Sequence, residues 1–201
     1  MRFDVVKKFE EKIAAYFGAP YAVAADCCTH GIELCLRLFN VKEITVPRRT
    51  YIAIPFLADK LQIDLSWKDE DWVDYYCLTD NEPELRVIDA AVLWKKNSYI
   101  PGTYMCVSFQ FQKHLSLGRG GVILMDNEEH RNQLKKLSYD GRDPEIPWRE
   151  QDITTRGYHY YMTPETAQLG LSKVQVAIAT KPRQWVLEDW PDVSNMRVFK
   201  D

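Results

Sequence analysis

Ser108-Phe109-Gln110-Phe111-Gln112-Lys113, then Gly118-Arg119-Gly120-Gly121 and Val122-Ile123-Leu124, is the stretch that decides how this chain reads. An apolar run delivers a lone lysine, a turn that glycines make easily follows, and a second apolar run leads away. A lysine partly withdrawn from water at such a turn has a lowered pKa and a free amine, the state that forms a Schiff base. Upstream, Val87-Ile88 brings Asp89 to the small pair Ala90-Ala91, as expected of a carboxylate at the end of a buried strand.

Outward from this stretch, strands are expected at 86–89, 104–109 and 121–126, with a helix over about 128–137. Nearer the N-terminus, Asp4 is placed to cap a helix whose Val6, Phe9, Ile13 and Phe17 recur at helical spacing, ended by Gly18 and Pro20. Tyr21-Ala22-Val23-Ala24-Ala25 reads as a strand, and Ile32, Leu34, Cys35, Leu36, Leu38 and Phe39 as the apolar face of a helix. The pattern repeats as Ile44-Thr45-Val46, a helix over about 51–61, and Ile63-Asp64-Leu65. Thr163-Pro164-Glu165 opens a last helix, with threonine as the cap and proline in its first turn. Such alternation predicts an α/β domain, a mainly parallel sheet sandwiched by helices. Residues 1–201 are expected to form one domain, with 177–201 as a C-terminal extension whose structure the sequence leaves open.

Composition narrows the classes. With 201 residues, 46% hydrophobic and 27% charged, the chain can fill a core and is neither disordered nor fibrous. No apolar run approaches the ~20 residues of a membrane helix. Met1 to Lys8 lacks a secretory pattern, so a cytoplasmic location is expected. Five cysteines, at 27, 28, 35, 77 and 106, show no C-x-x-C repeat and are expected to be reduced. Adjacent Cys27 and Cys28 are poorly placed to chelate one ion with His30, so no metal is expected. A formal charge of −3 with only short basic pairs argues against nucleic-acid binding.

In open α/β sheets ligands gather at the carboxyl ends of strands, where this reading places 26–30, 48–51, Asp89 and the Lys113 segment. Thr29 and His30 stand at a helix N-terminus, whose free N–H groups and dipole favour a phosphate, and Ser108 adds a hydroxyl. Tyr51 could stack on a flat ring. A carboxylate such as Asp89 against a pyridine nitrogen keeps that nitrogen protonated, and the ring then accepts electrons. Together these residues suggest a pyridoxal 5'-phosphate (PLP) site.

The same residues resemble the DegT/DnrJ/StrS family of sugar aminotransferases, of fold type I. The likeness runs from Phe9–Gly18 and Tyr21–Ala24 through Cys28-Thr29-His30, Val46–Tyr51 and Ile88-Asp89-Ala90-Ala91. It continues through Ser108-Phe109-x-x-x-Lys113 with Gly118-x-Gly120-Gly121, to Gly157–Thr163 and Gln168–Leu171. The resemblance implies the large-domain fold of these aminotransferases, shortened between Asp64 and Val87 and without most of the small domain. It implies PLP on Lys113, Asp89 at the ring nitrogen, Tyr51 on the ring face, and Thr29, His30 and Ser108 at the phosphate. His159, where the family has asparagine, would reach the cofactor of a second subunit in a homodimer. Val92 replaces the usual glutamine or histidine three residues after the aspartate, and His114 follows the lysine where asparagine is common. The implied reaction passes an amino group from an amino acid such as glutamate to a keto sugar nucleotide. The alternative is a non-catalytic or repurposed binding protein that keeps the fold.

Overall fold

The computed structural model describes residues 3–82 and 84–200. Helix α1 spans Asp4–Phe17 and buries Val6, Phe9, Ile13 and Phe17 on one face, as their spacing requires. Asp4 is the first helical residue and not the cap; it complements the helix dipole from the first turn. Gly18, at φ 78°, closes the helix by donating its N–H to the Ala14 carbonyl.

The remaining elements are β1 (Tyr21–Ala25), α2 (Cys28–Leu38), β2 (Glu43–Pro47), α3 (Pro55–Leu61), β3 (Asp64–Lys68), β4 (Tyr76–Cys77), β5 (Arg86–Asp89), β6 (Thr103–Ser108), β7 (Gly121–Met125), α4 (Glu128–Ser138) and α5 (Pro164–Ala179). Thr163 caps α5 by accepting the Thr166 N–H, as its sequence predicts. Helix α3 starts later than expected, at Pro55, because residues 52–54 form a turn that leaves Tyr51 outside the helix.

Five strands form one sheet in the order β1-β7-β6-β5-β4, and β2 pairs with β3 alone. The Thr45 N–H donates to the Leu78 carbonyl at 2.8 Å and ties the smaller pair to the larger sheet. The α/β architecture stands, but the pairing is more mixed than the sequence reading expects. Among the described residues only β2–β3 and β5–β6 are parallel; β1–β7, β6–β7 and β4–β5 are antiparallel. The reason lies in the connections. A parallel neighbour needs a crossover, usually helical, whereas β7 returns directly from the turn that carries Lys113 and β5 follows β4 after a short loop.

Alternation along the strands divides the core in two. Ala22, Ala24, Ile88, Met105, Val107, Val122 and Leu124 pack with α1 and α5 on one face. Val23, Val87, Cys106, Ile123 and Met125 pack with α2 and with Leu134 of α4 on the other. The sheet is therefore covered by helices on both faces.

After α5 the chain turns back across the molecule in three short 3-10 turns, at Leu187–Asp189, Val193–Asn195 and Arg197–Phe199. Val193 is buried and donates its N–H to the Arg48 carbonyl at 2.9 Å, while Arg49 donates to the Trp190 carbonyl at 2.9 Å. Phe199 packs edge-on against Trp67. Among the described residues no helix is long and apolar enough to cross a membrane.

Candidate active site

Strands β1, β5 and β6 run in one direction, since β5 and β6 are parallel and β1 and β6 both oppose β7. Their carboxyl ends open on a cavity of about 790 Å³, whose lining includes Thr29, Tyr51, Asp89, Ser108 and Lys113. These five side chains, separated by up to 84 positions in sequence, meet there because each follows or ends a strand.

Asp89 ends β5 and is almost fully buried. One carboxylate oxygen accepts from the Tyr76 hydroxyl at 2.7 Å, and the other accepts from the Ala91 N–H at 2.9 Å. Burial pushes the Asp89 carboxyl above its ordinary pKa, while these two donors and the Lys113 ammonium pull the other way. Tyr76 also bonds the Thr50 hydroxyl at 2.6 Å. Neither Tyr76 nor Thr50 stands out in the sequence as a site residue, because each looks like an ordinary core or turn residue until the strands pair.

Lys113 lies in the turn between β6 and β7, its N–H bonded to the Gln110 carbonyl. Burial lowers its pKa, partly offset by Asp89. Among the described residues its ammonium has no hydrogen-bond or ion-pair partner. Its nitrogen faces the rings of Trp185, 4.4 Å from the centroid, and Trp190, 5.4 Å away. The two indoles stack at 5.5 Å. They come from the C-terminal segment that the sequence could not place, and with Pro191, Val193 and Met196 they form one wall of the cavity.

The opposite end of the cavity meets the N-terminus of α2. A Cβ on Gly121 would stand 2.4 Å from the Cys28 nitrogen, so only glycine lets β7 start this close to the helix end. The helix is capped by Cys27, whose sulfur accepts the His30 N–H at 3.4 Å; Thr29 sits within the first turn and is not the cap. His30 does not line the cavity. Its ring stacks on Tyr160 at 3.7 Å and its Nδ1 bonds Asp26 at 2.6 Å. Burial pulls its pKa down, but the bonds to Asp26 and Cys27 outweigh this and hold it up at about 9. Asp26, Cys27 and His30 offer donor atoms within 4.8 Å of one another. Asp26 is already engaged by His30 and, at 2.8 Å, by Arg119, which makes the group an ion-pair cluster.

His159 stands outside the cavity with a 71% exposed side chain, 3.1 Å from Asp140. Tyr51 is 55% exposed at the cavity rim. A second cavity, of about 550 Å³, contains Glu10, which is satisfied by the Ala24 N–H and by Lys135.

The fold is thus an α/β domain in which Lys113 and Asp89 face one cavity at the carboxyl ends of the strands. The model of the DegT/DnrJ/EryC1/StrS aminotransferase family matches residues 2–63 and 100–186, and the chain belongs to that family. Among its relatives is GDP-perosamine synthase of Caulobacter vibrioides, 24% identical over 85% of this chain and 56% of that protein. The fold is shared with solved structures, among them the following two. AtS13 of Actinomadura melliaura matches with a TM-score of 0.76 at 21% identity, over 89% of this chain and 61% of that one. Spr1654 of Streptococcus pneumoniae, solved in its PLP form, matches with a TM-score of 0.71 at 20% identity, over 87% and 60%. The chain thus spans less than two thirds of the length of each of these proteins.

Proposed function

We propose that this chain is a PLP-dependent aminotransferase, moving an amino group from an amino acid donor such as glutamate to the keto group of a nucleotide-linked sugar. The observation that carries the reading is that Lys113 and Asp89 line one cavity, the lysine nitrogen without a hydrogen-bond or ion-pair partner among the described residues and the carboxylate fixed at both oxygens. The residues fit the cofactor. A cavity of about 790 Å³ lies within the usual range for small-molecule sites, roughly 300–1,000 Å³. Lys113 would hold the cofactor covalently and, once released, move a proton at the substrate carbon with its depressed amine. Asp89 would hold a proton on the ring nitrogen, and Tyr51 would cover a ring face. Thr29, the N–H groups at the start of α2 and Ser108 would take the phosphate. His30, behind that helix end, adds positive charge without lining the cavity. When bound, PLP supplies an electron sink for the substrate carbanion.

The relative named GDP-perosamine synthase supports a nucleotide-linked sugar as acceptor. A homodimer and a cytoplasmic location belong to the same reading, with exposed His159 available to a second subunit's cofactor. The test is a half-reaction. PLP-loaded protein mixed with glutamate should lose its visible absorbance and gain that of pyridoxamine phosphate. Bound PLP that no amino donor converts would leave the alternative, a cofactor-binding protein without transamination.

A further inference from the structure

We propose that Tyr76 is a positioning residue for Asp89: its hydroxyl fixes the orientation and the charge of the carboxylate that faces the cofactor ring. The proposal rests on the reading of Lys113 and Asp89 as a PLP site. Strand β4 is only two residues long, and its pairing puts Tyr76 directly opposite Asp89. The hydroxyl donates to one Asp89 oxygen at 2.7 Å while the Ala91 N–H donates to the other at 2.9 Å, so the carboxylate is held from both sides. Each oxygen retains a lone pair for a further donor.

The direction of the bonds follows from proton counting. A phenol has one proton, and an ionised carboxylate only accepts; the Tyr76 hydroxyl therefore donates its hydrogen bond to Asp89. The 2.6 Å bond between Tyr76 and Thr50 then has Thr50 as donor. The relay runs Thr50 to Tyr76 to Asp89, and all three side chains are buried. Trp72 packs edge-on against the Tyr76 ring at 5.0 Å and is itself pinned by its indole N–H to the Arg49 carbonyl at 2.7 Å.

The groups facing Asp89 are Tyr76 from β4, Cys28 from α2, Cys106 from β6 and Lys113 from the following turn. Burial pushes both thiols well up, so they are neutral and contribute no charge. Against the burial of Asp89 stand the Tyr76 hydroxyl, the Ala91 N–H and the Lys113 ammonium. Among the described residues Tyr76 is the side chain that hydrogen-bonds Asp89, and that bond does not depend on the state of Lys113.

Tyr76→Phe removes the hydroxyl and little else. In cofactor-free protein, a carbon-13 NMR titration of the Asp89 carboxyl, assigned with Asp89→Asn, should show its midpoint raised by about one pH unit. That is a tenfold change in proton affinity, or about 1.4 kcal/mol. Thr50→Val should move it the same way by less, and carries the test if Tyr76→Phe does not fold. In PLP-loaded protein the pH midpoint of the visible band should move in Tyr76→Phe while borohydride still fixes PLP on Lys113. An unmoved Asp89 midpoint with a lowered Tm would make Tyr76 a packing residue and overturn the proposal. Failure of wild type to take PLP on Lys113 would overturn the site reading instead, and the cofactor-free titration would still judge Tyr76.

Discussion

The cavity has two walls of different origin. One is built from strand ends: Asp89 closes β5, Lys113 stands in the β6–β7 turn, and Thr29 lies in the first turn of α2. The other is built from the C-terminal segment, where Trp185, Trp190 and Val193 cross the opening. The first wall is held by sheet hydrogen bonds and two buried core clusters. The second is held by Val193 to Arg48, Arg49 to Trp190, and aromatic contacts of Trp190 with Trp72 and Trp185. The strand-end wall therefore shares the stability of the whole fold, whereas the C-terminal wall can open locally.

The widest separation between the walls should come from a pair of substitutions. Asp89→Asn should weaken retention of PLP roughly 10- to 100-fold, the scale of a lost hydrogen bond to a charged group, with backbone exchange at Val193 unchanged. Trp190→Ala should do the reverse. It removes two aromatic contacts, about 1–2 kcal/mol together, so the Val193 amide should exchange roughly tenfold faster while covalent attachment at Lys113 persists. If Trp190→Ala instead abolishes attachment, the two walls are not independent.

A smaller effect belongs to His30. Its folded pKa of about 9 lies above the usual histidine value of about 6.5, so protonation favours the folded state. The stabilisation should be complete below about pH 6.5 and lost as pH rises through about 9. Denaturant titrations of wild type should show this decline, and His30→Gln should flatten it.

The two walls also differ in how far the sequence reveals them. Tyr21–Ala25, Arg86–Asp89 and α4 are legible because short apolar runs and helical spacing are local signals. The Lys113 turn is legible because its glycines are needed there, as the approach of Gly121 to Cys28 shows. Strand direction is not legible, because alternation marks a strand without saying which way its neighbour runs. Tyr76 is hidden for a related reason: a two-residue strand exists only through its pairing with β5. Trp185 and Trp190 carry no period at all. Trp190 is held by Arg49, 141 residues before it, and Trp185 stacks on Trp190.

Covalent attachment of the cofactor at Lys113 is the central claim. Borohydride reduction of PLP-loaded protein, followed by digestion and mass spectrometry, should place the added mass of the reduced cofactor on the peptide containing Lys113, with none there after Lys113→Ala. Label spread over exposed lysines such as Lys7 and Lys8, or absent altogether, would contradict it.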